Sequence, residues 1–234
     1  RAARALEPSF VVAQIEAVID DLPVAATKIG MLTDAATASA VADLIASRRD
    51  AFGLIVLDPV MVATSGDHLL SDDGIAVVRD RLVPLADIVT PNVPEAGVLL
   101  GEPPASGPLD LVRHARALVD AGARAALVKG GHLTDATLTD VFAGRDAAGA
   151  DVTTVELTSE RIETRNTHGT GCTLSSAIAA RAAVSGATAA SGIGIDRVAE
   201  ARDYLVSAIR AASDWRLSRT PSSGHGPVDH LVTL

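Results

Sequence analysis

Leu54-Ile55-Val56-Leu57-Asp58-Pro59 is an unbroken run of four branched aliphatic residues halted by an aspartate and a proline. A run without apolar–polar alternation fits a strand buried on both faces, and the residue before a proline is a natural stopping point. A strand covered on both sides needs helices above and below it, and the flanking sequence supplies them. Upstream, Asp34 to about Arg49 reads as a helix opened by a capping aspartate, and Val24–Ile29 before it reads as a strand. A first helix, Pro8 to about Asp21, carries Val11, Ile15, Val18 and Leu22 at helical spacing, with Pro8 near its start. Downstream the rhythm continues with helix Asp72–Val83, strand Asp87–Val89, helix Pro94–Leu100, helix Leu109–Ala121 and strand Ala125–Val128. Apolar strands alternating with helices predict an α/β domain built on a mainly parallel sheet with helices on both faces.

The stretch Thr139–Thr158 breaks this rhythm. Asp140-Val141-Phe142-Ala143 and Val152-Thr153-Thr154-Val155-Glu156-Leu157 flank the polar, glycine-containing link Gly144–Asp151, which predicts an antiparallel hairpin at the sheet edge. Helices over Gly171–Val184 and Ile195–Ala212 follow, and then a Ser-, Gly- and Pro-rich loop, Pro221–Pro227. No internal repeat, low-complexity tract or charge block marks a linker, so residues 1–234 read as one domain. In an open sheet of this kind ligands bind beyond the carboxyl ends of the strands. The segments to search are therefore Gly30–Thr33, Asp58–Gly66, Thr90–Glu95, Lys129–His132 and Asn166–Thr173.

Composition narrows the partners. The chain has 234 residues, 48% hydrophobic and 21% charged, enough apolar surface to offset the cost of ordering it. A formal net charge of −9 argues against a nucleic-acid binder, which needs a basic face, and 2% aromatic residues leave little with which to stack bases. No apolar run approaches the ~18 residues of a membrane span. A single cysteine, Cys172, cannot form an intrachain disulfide, which points to a reducing cytoplasm or to a thiol used chemically. Two lysines stand among eighteen arginines, and both end a short apolar run before a glycine: Lys28 in Thr27-Lys28-Ile29-Gly30 and Lys129 in Val128-Lys129-Gly130-Gly131. A compact ammonium at a strand end suits a phosphate or a carboxylate, while the plainer reading is a strand lysine reaching solvent.

Asn166-Thr167-His168-Gly169-Thr170-Gly171-Cys172-Thr173-Leu174-Ser175-Ser176 is a glycine-rich turn opening into a helix. Free backbone N–H groups and the positive end of a helix dipole make an anion hole suited to a phosphoryl group in transfer. Cys172 falls in the first helical turn, where a thiol pKa tends to drop and the thiolate becomes a candidate base; otherwise it is a small residue packed in a tight turn. The turn is neither a P-loop nor a dinucleotide fingerprint. In Thr90-Pro91-Asn92-Val93-Pro94-Glu95 the side chains of Asn92 and Glu95 suit Mg²⁺ held largely through water, but they equally suit a helix cap completed as a capping box. Asp58 either adds charge to the same region or caps a turn.

Taken in order, these blocks resemble the ribokinase-like superfamily, and within it the hydroxymethylpyrimidine/phosphomethylpyrimidine kinase branch of thiamine biosynthesis. The resemblance rests on Lys28-Ile29-Gly30-Met31-Leu32, Leu57–Asp67, Thr90–Ala96, Val128–Leu133, Asn166–Ser175 and Gly224–Val228. Sugar kinases of the superfamily carry Asp where Cys172 stands. The resemblance implies transfer of the γ-phosphoryl group of Mg-ATP to 4-amino-5-hydroxymethyl-2-methylpyrimidine and then to its monophosphate. It casts Cys172 as base and Gly169, Thr170 and Gly171 as the anion hole. Asn92, Glu95 and Asp58 would organise Mg²⁺, Lys129 and Thr167, with Asn92, would serve the nucleotide, and Met31 and Val60 would line the pyrimidine pocket. It also implies a cytoplasmic homodimer acting on a small molecule, with no nucleic-acid or membrane partner.

The family pattern opens with a strand, a loop of the form G-[ST]-D-x-S-G-G-A-G-I-Q-A-D, a helix and a pocket glutamine, and none of these is found from Arg1 onward. The expectation is a kinase domain over residues 1–234 that lacks its first strand, helix and substrate loop and keeps the nucleotide half of the site. Two other readings stay open: a pyridoxal or pyridoxine kinase, because some relatives with the same Gly-Thr-Gly-Cys turn act on B6 alcohols, and a non-catalytic nucleotide-binding relative.

Overall fold

The computed structural model describes residues 4–61, 70–131, 137–145, 151–188, 191–217 and 225–232. Parts of the expected segments 58–66, 129–132, 144–151 and 221–227 lie outside these residues, as do Val62–Asp67, His132, Leu133 and Gly224 of the family blocks. The run that opened the sequence reading is strand β2 (Leu54–Leu57), buried at every position. Beside it lie β1 (Ala26–Ile29), β3 (Ile88–Val89) and β4 (Ala125–Val128), followed by the hairpin β5 (Thr137–Arg145) and β6 (Val152–Glu160). The six strands stand in sequential order; β1 to β4 pair in parallel, while β4–β5 and β5–β6 pair antiparallel. The expected fold class and the edge hairpin are thus observed.

Sequential order has a geometric consequence. Right-handed crossovers that always step the same way put every crossover helix on one face. That face holds α2 (Ala35–Ser47), α3 (Asp72–Val77), α4 (Val93–Leu100) and α5 (Pro108–Asp120), and α1 (Pro8–Ile19) packs behind α2. The other face is covered by α6 (Thr170–Val184) and α7 (Ile195–Ala211), which come after the hairpin. The strands divide their side chains accordingly. Ile55, Leu57, Val89, Ala126 and Val128 enter the first core, and Leu54, Val56, Ile88, Ala125 and Leu127 enter the second. Among the described residues no helix is long and apolar enough to cross a membrane.

Several element ends differ from expectation for local reasons. Helix α2 opens on Asp34, whose carboxylate accepts from Thr37 N at 2.7 Å as predicted. The helix expected over Asp72–Val83 instead widens into a π turn at Val78–Leu82 and tightens into a 3₁₀ turn at Val83–Leu85. Widening keeps Val78 and Leu82 buried on one side, and Pro84, which lacks an N–H, ends the regular ladder. Strand β3 begins at Ile88 rather than Asp87, because Asp87 turns its carboxylate onto Arg49 and the Ile55 N–H.

Candidate functional site

Beyond the carboxyl end of β2, the chain turns into Asp58, which is 1% exposed. A carboxylate so deeply buried needs compensation, and four groups surround it. Lys129 Nζ donates to Oδ1 at 2.9 Å, and the Thr90 hydroxyl lies 3.3 Å from the same oxygen. The Ser175 hydroxyl lies 3.2 Å from Oδ2, and Lys28 Nζ stands 3.9 Å from it. The strand ends of β1, β2, β3 and β4 and the first turns of α6 therefore converge on one carboxylate. Two ammonium groups and the buried Glu95 carboxyl stand around this one carboxylate.

Helix α6 presents its N-terminus to this cluster. Gly169 sits at its N-cap with φ of 81°, a left-handed conformation that favours glycine, and no side chain caps the helix. A side chain at Gly171 would approach Lys129 Nζ to 3.3 Å and Asp58 Oδ2 to 3.8 Å, so glycine keeps the space beside these charges open. The Thr170 hydroxyl is turned inward onto the Thr167 carbonyl at 3.1 Å, and Thr167 itself is exposed. Asn166 anchors the turn: its amide donates to the carbonyls of Ala212 and Trp215 at 2.6 and 3.0 Å, just past the end of α7.

Asn92 and Glu95 form the capping box that was the simpler reading of their spacing. The Glu95 N–H reaches Asn92 Oδ1 at 2.9 Å and the Asn92 N–H reaches Glu95 Oε2 at 2.8 Å. Glu95 is nevertheless unusual for a cap, being 6% exposed. Burial pushes its carboxyl above the usual range, and the Lys129 ammonium and the N–H groups of Asn92 and Met61 offset this only in part. Among the described residues no group of three or more His, Cys, Asp or Glu side chains gathers as a metal cage. A donor set of one amide and two carboxylates already engaged by protein donors fits an ion held mostly by phosphate and water, the habit of Mg²⁺.

Cys172, the residue after Gly171 in the first turn of α6, is exposed. It lines a cleft of about 540 Å³ that starts at Gly169 and runs along the outer side of α6 past Ser176 to Arg181. Thr173, Tyr204 of α7 and His230 also line it. The Thr173 hydroxyl donates to the Gly169 carbonyl at 2.8 Å and lies 3.0 Å from His230 Nε2, while the Tyr204 hydroxyl donates to the His230 carbonyl at 2.9 Å. Met31, 43% exposed, and half-buried Val60 follow β1 and β2 at the same end of the sheet, and neither lines this cleft.

The structure thus brings Asp58, Lys129 and Gly171 together, with Asn92 and Glu95 beside Lys129 at the start of α4. It sets Cys172 and Gly169 on the adjoining cleft. Thr90 and Ser175 stood within the quoted motifs without a role of their own, and Tyr204 and His230 escaped the sequence reading. Ser175 had a usable signal, since it lies one turn beyond Gly171 on the same helix face. His230 had none, because its partner Thr173 is 57 residues away.

Comparison with known proteins shows the family. Residues 1–229 match the family model described as phosphomethylpyrimidine kinase. A hydroxymethylpyrimidine/phosphomethylpyrimidine kinase from Rhizobium meliloti is 46% identical over 224 residues, covering 95% of this chain and 76% of the relative. A thiamine biosynthesis bifunctional protein from Geobacter sulfurreducens is 39% identical over 225 residues, covering 96% of this chain and 42% of that longer protein. Among solved structures, an ADP complex of Bacillus subtilis pyridoxal kinase superposes with a TM-score of 0.78 at 28% identity, covering 96% of this chain and 77% of that one. The chain belongs to the phosphomethylpyrimidine kinase family.

Proposed function

We propose that this protein transfers the γ-phosphoryl group of ATP to the hydroxymethyl oxygen of 4-amino-5-hydroxymethyl-2-methylpyrimidine, and a second phosphoryl group to the resulting monophosphate, in thiamine biosynthesis. The observation that carries the reading is the Lys129–Asp58 pair facing Gly171 at the uncapped start of α6. A cation, open space and a helix N-terminus without a side-chain cap meet there, as a phosphoryl group in transfer requires. The backbone of Gly169, Thr170 and Gly171 takes the equatorial oxygens. Lys129, Thr167 and Asn92 serve the nucleotide phosphates, and the nucleotide lies in the cleft walled by Tyr204 and His230. Cys172 accepts the proton of the hydroxymethyl group while its oxygen forms the new P–O bond; the bond from γ-phosphorus to the bridging oxygen breaks and ADP leaves. Met31 and Val60 line the pyrimidine side.

Mg²⁺, when bound, would supply charge neutralisation to the nucleotide phosphates. Asp58, Asn92 and Glu95 hold its water shell rather than the ion itself, since their oxygens already accept protein hydrogen bonds. Residues 1–234 form one kinase domain that acts in the cytoplasm as a homodimer; one free cysteine, exposed on α6, agrees with a reducing compartment.

Pyridoxal kinase activity is the second reading, favoured by the close superposition on the Bacillus subtilis enzyme. The test is a side-by-side assay of the full-length protein with Mg-ATP, following ADP release and product mass with hydroxymethylpyrimidine, its monophosphate and pyridoxal. The proposal expects kcat/KM for the pyrimidine to exceed that for pyridoxal by ~10-fold or more, the span of a pocket built for another ring. A preference for pyridoxal overturns the pyrimidine assignment, and ATP binding without turnover of any of the three overturns catalysis.

A further inference from the structure

Among the described residues Arg202 is the one arginine buried from solvent. It sits on α7 and spends its guanidinium on the hairpin. Nε donates to Asp140 Oδ2 at 2.8 Å, Nη1 to the Thr158 carbonyl at 3.1 Å, and Nη2 to the Ser159 hydroxyl at 3.1 Å and the Leu138 carbonyl at 3.4 Å. The second oxygen of Asp140 accepts the Gly130 N–H at 2.8 Å. One carboxylate thereby joins helix α7 to the backbone that follows Lys129.

That turn has no slack. A side chain at Gly130 would meet the Thr139 carbonyl at 1.9 Å, so only glycine fits, and the Lys129 N–H is held by the Pro91 carbonyl at 2.9 Å. Lys129 is consequently presented to Asp58 by a backbone fixed on both sides. Two residues along α7 from Arg202, Tyr204 lines the cleft beside Cys172. The same buried pair therefore ties two walls of the site, the Lys129 turn and the α7 side of the cleft. Stability alone is a weak reason for such a pair, because well-packed apolar residues commonly serve as well as or better than a desolvated ion pair.

We propose that the Asp140–Arg202 pair positions the nucleotide-binding machinery, holding the Lys129–Gly130 turn in register with the α7 wall so that phosphate and base are gripped together. The proposal rests on the nucleotide reading of Lys129 and the cleft. It makes both residues positioning residues for ATP, with no contact to the acceptor alcohol. Asp140→Asn keeps an oxygen for the Gly130 N–H and removes the charge that holds Arg202. Arg202→Met replaces the guanidinium with an apolar chain, and Arg202→Lys restores charge without the fork that reaches three hairpin acceptors.

The experiment measures KM for ATP and for the acceptor alcohol in the full-length enzyme carrying Asp140→Asn, Arg202→Met, Arg202→Lys or Lys129→Ala, with a thermal melt of each. Loss of a charge-assisted contact predicts KM for ATP raised ~10-fold or more in Asp140→Asn and Arg202→Met, and raised less in Arg202→Lys. KM for the alcohol stays at the wild-type value in all three. If Lys129→Ala raises KM for ATP while the pair variants fold and do not, the pair is structural only and the inference falls alone. If Lys129→Ala also leaves KM for ATP unchanged, the nucleotide reading falls with it. Should Asp140→Asn and Arg202→Met fail to fold, Arg202→Lys decides: an unchanged KM for ATP overturns the inference.

Discussion

Asp58 and Asp87 flank neighbouring strands at opposite ends of the sheet, and both are buried, at 1% and 4% exposure. Their surroundings differ in kind. Asp87, before β3, is gripped by the Arg49 guanidinium at 2.6 Å and the Ile55 N–H at 2.8 Å, and Arg49 also donates to the Gly53 carbonyl at 2.6 Å. A planar fork and a backbone donor tie loop, helix end and strand start into one fixed unit. Asp58, beyond β2, is met by two ammonium groups and two hydroxyls, beside a glycine and an uncapped helix. One end of the sheet is closed by its own hydrogen bonds. Among the described residues, the other end gathers two lysines and a helix start without a side-chain cap.

The sharpest contrast lies with Cys172, which is exposed and supports no core. Cys172→Ala is expected to lower kcat by ~10²-fold or more, the span of a lost acid–base group, and to leave the thermal melt in place. A near-wild-type kcat in the folded variant would return the residue to packing. Next come the two aspartates themselves. Asp58→Asn should cost kcat/KM for Mg-ATP ~10-fold or more by loosening Lys129, with a modest change in melting temperature. Asp87→Ala should do the reverse, costing about 2–3 kcal/mol of stability, below the full cost of breaking a buried pair because Arg49 keeps some access to water, with kcat unchanged in the folded enzyme. Chemical denaturation alongside steady-state kinetics separates the two; equal effects on both readouts for both residues would erase the distinction between the sheet ends.

Glu95 gives the smallest effect and a signed one. Its carboxyl is raised above the ordinary value of 4.5 by burial, so the folded protein holds this proton to higher pH than the unfolded chain does. Stability from this group is therefore present below that value and is lost as pH climbs through the folded one. Glu95→Gln preserves the capping box and abolishes the titration. Its melting temperature should match wild type near pH 4 and exceed it increasingly towards pH 7, while the Mg²⁺ requirement for turnover rises. A melting difference independent of pH would contradict the burial argument, and an unchanged Mg²⁺ dependence would leave Glu95 as a cap alone.

What the sequence disclosed follows from how local each determinant is. Strands β2 and β4 were legible to the residue, because an apolar run and its polar stops are adjacent in the chain. The capping boundaries at Asp34 and Asn92 were legible for the same reason. Asp58 was placed correctly at the sheet end, but its neighbours Lys129 and Ser175 lie 71 and 117 residues away, so its role as the hub of a charge cluster was not. The π turn at Val78–Leu82 and the α7 wall carrying Arg202 and Tyr204 likewise depend on packing between distant segments, which no local pattern encodes.

Calorimetric titration of Mg-ATP into the folded 234-residue chain shows whether the open end of the sheet is built for a nucleotide. Saturable binding at one site is expected, weakened in Lys129→Ala and unchanged in Arg49→Lys, whose side chain serves the opposite end. No heat of binding in a sample whose melt shows it folded, or equal loss in both variants, would contradict it.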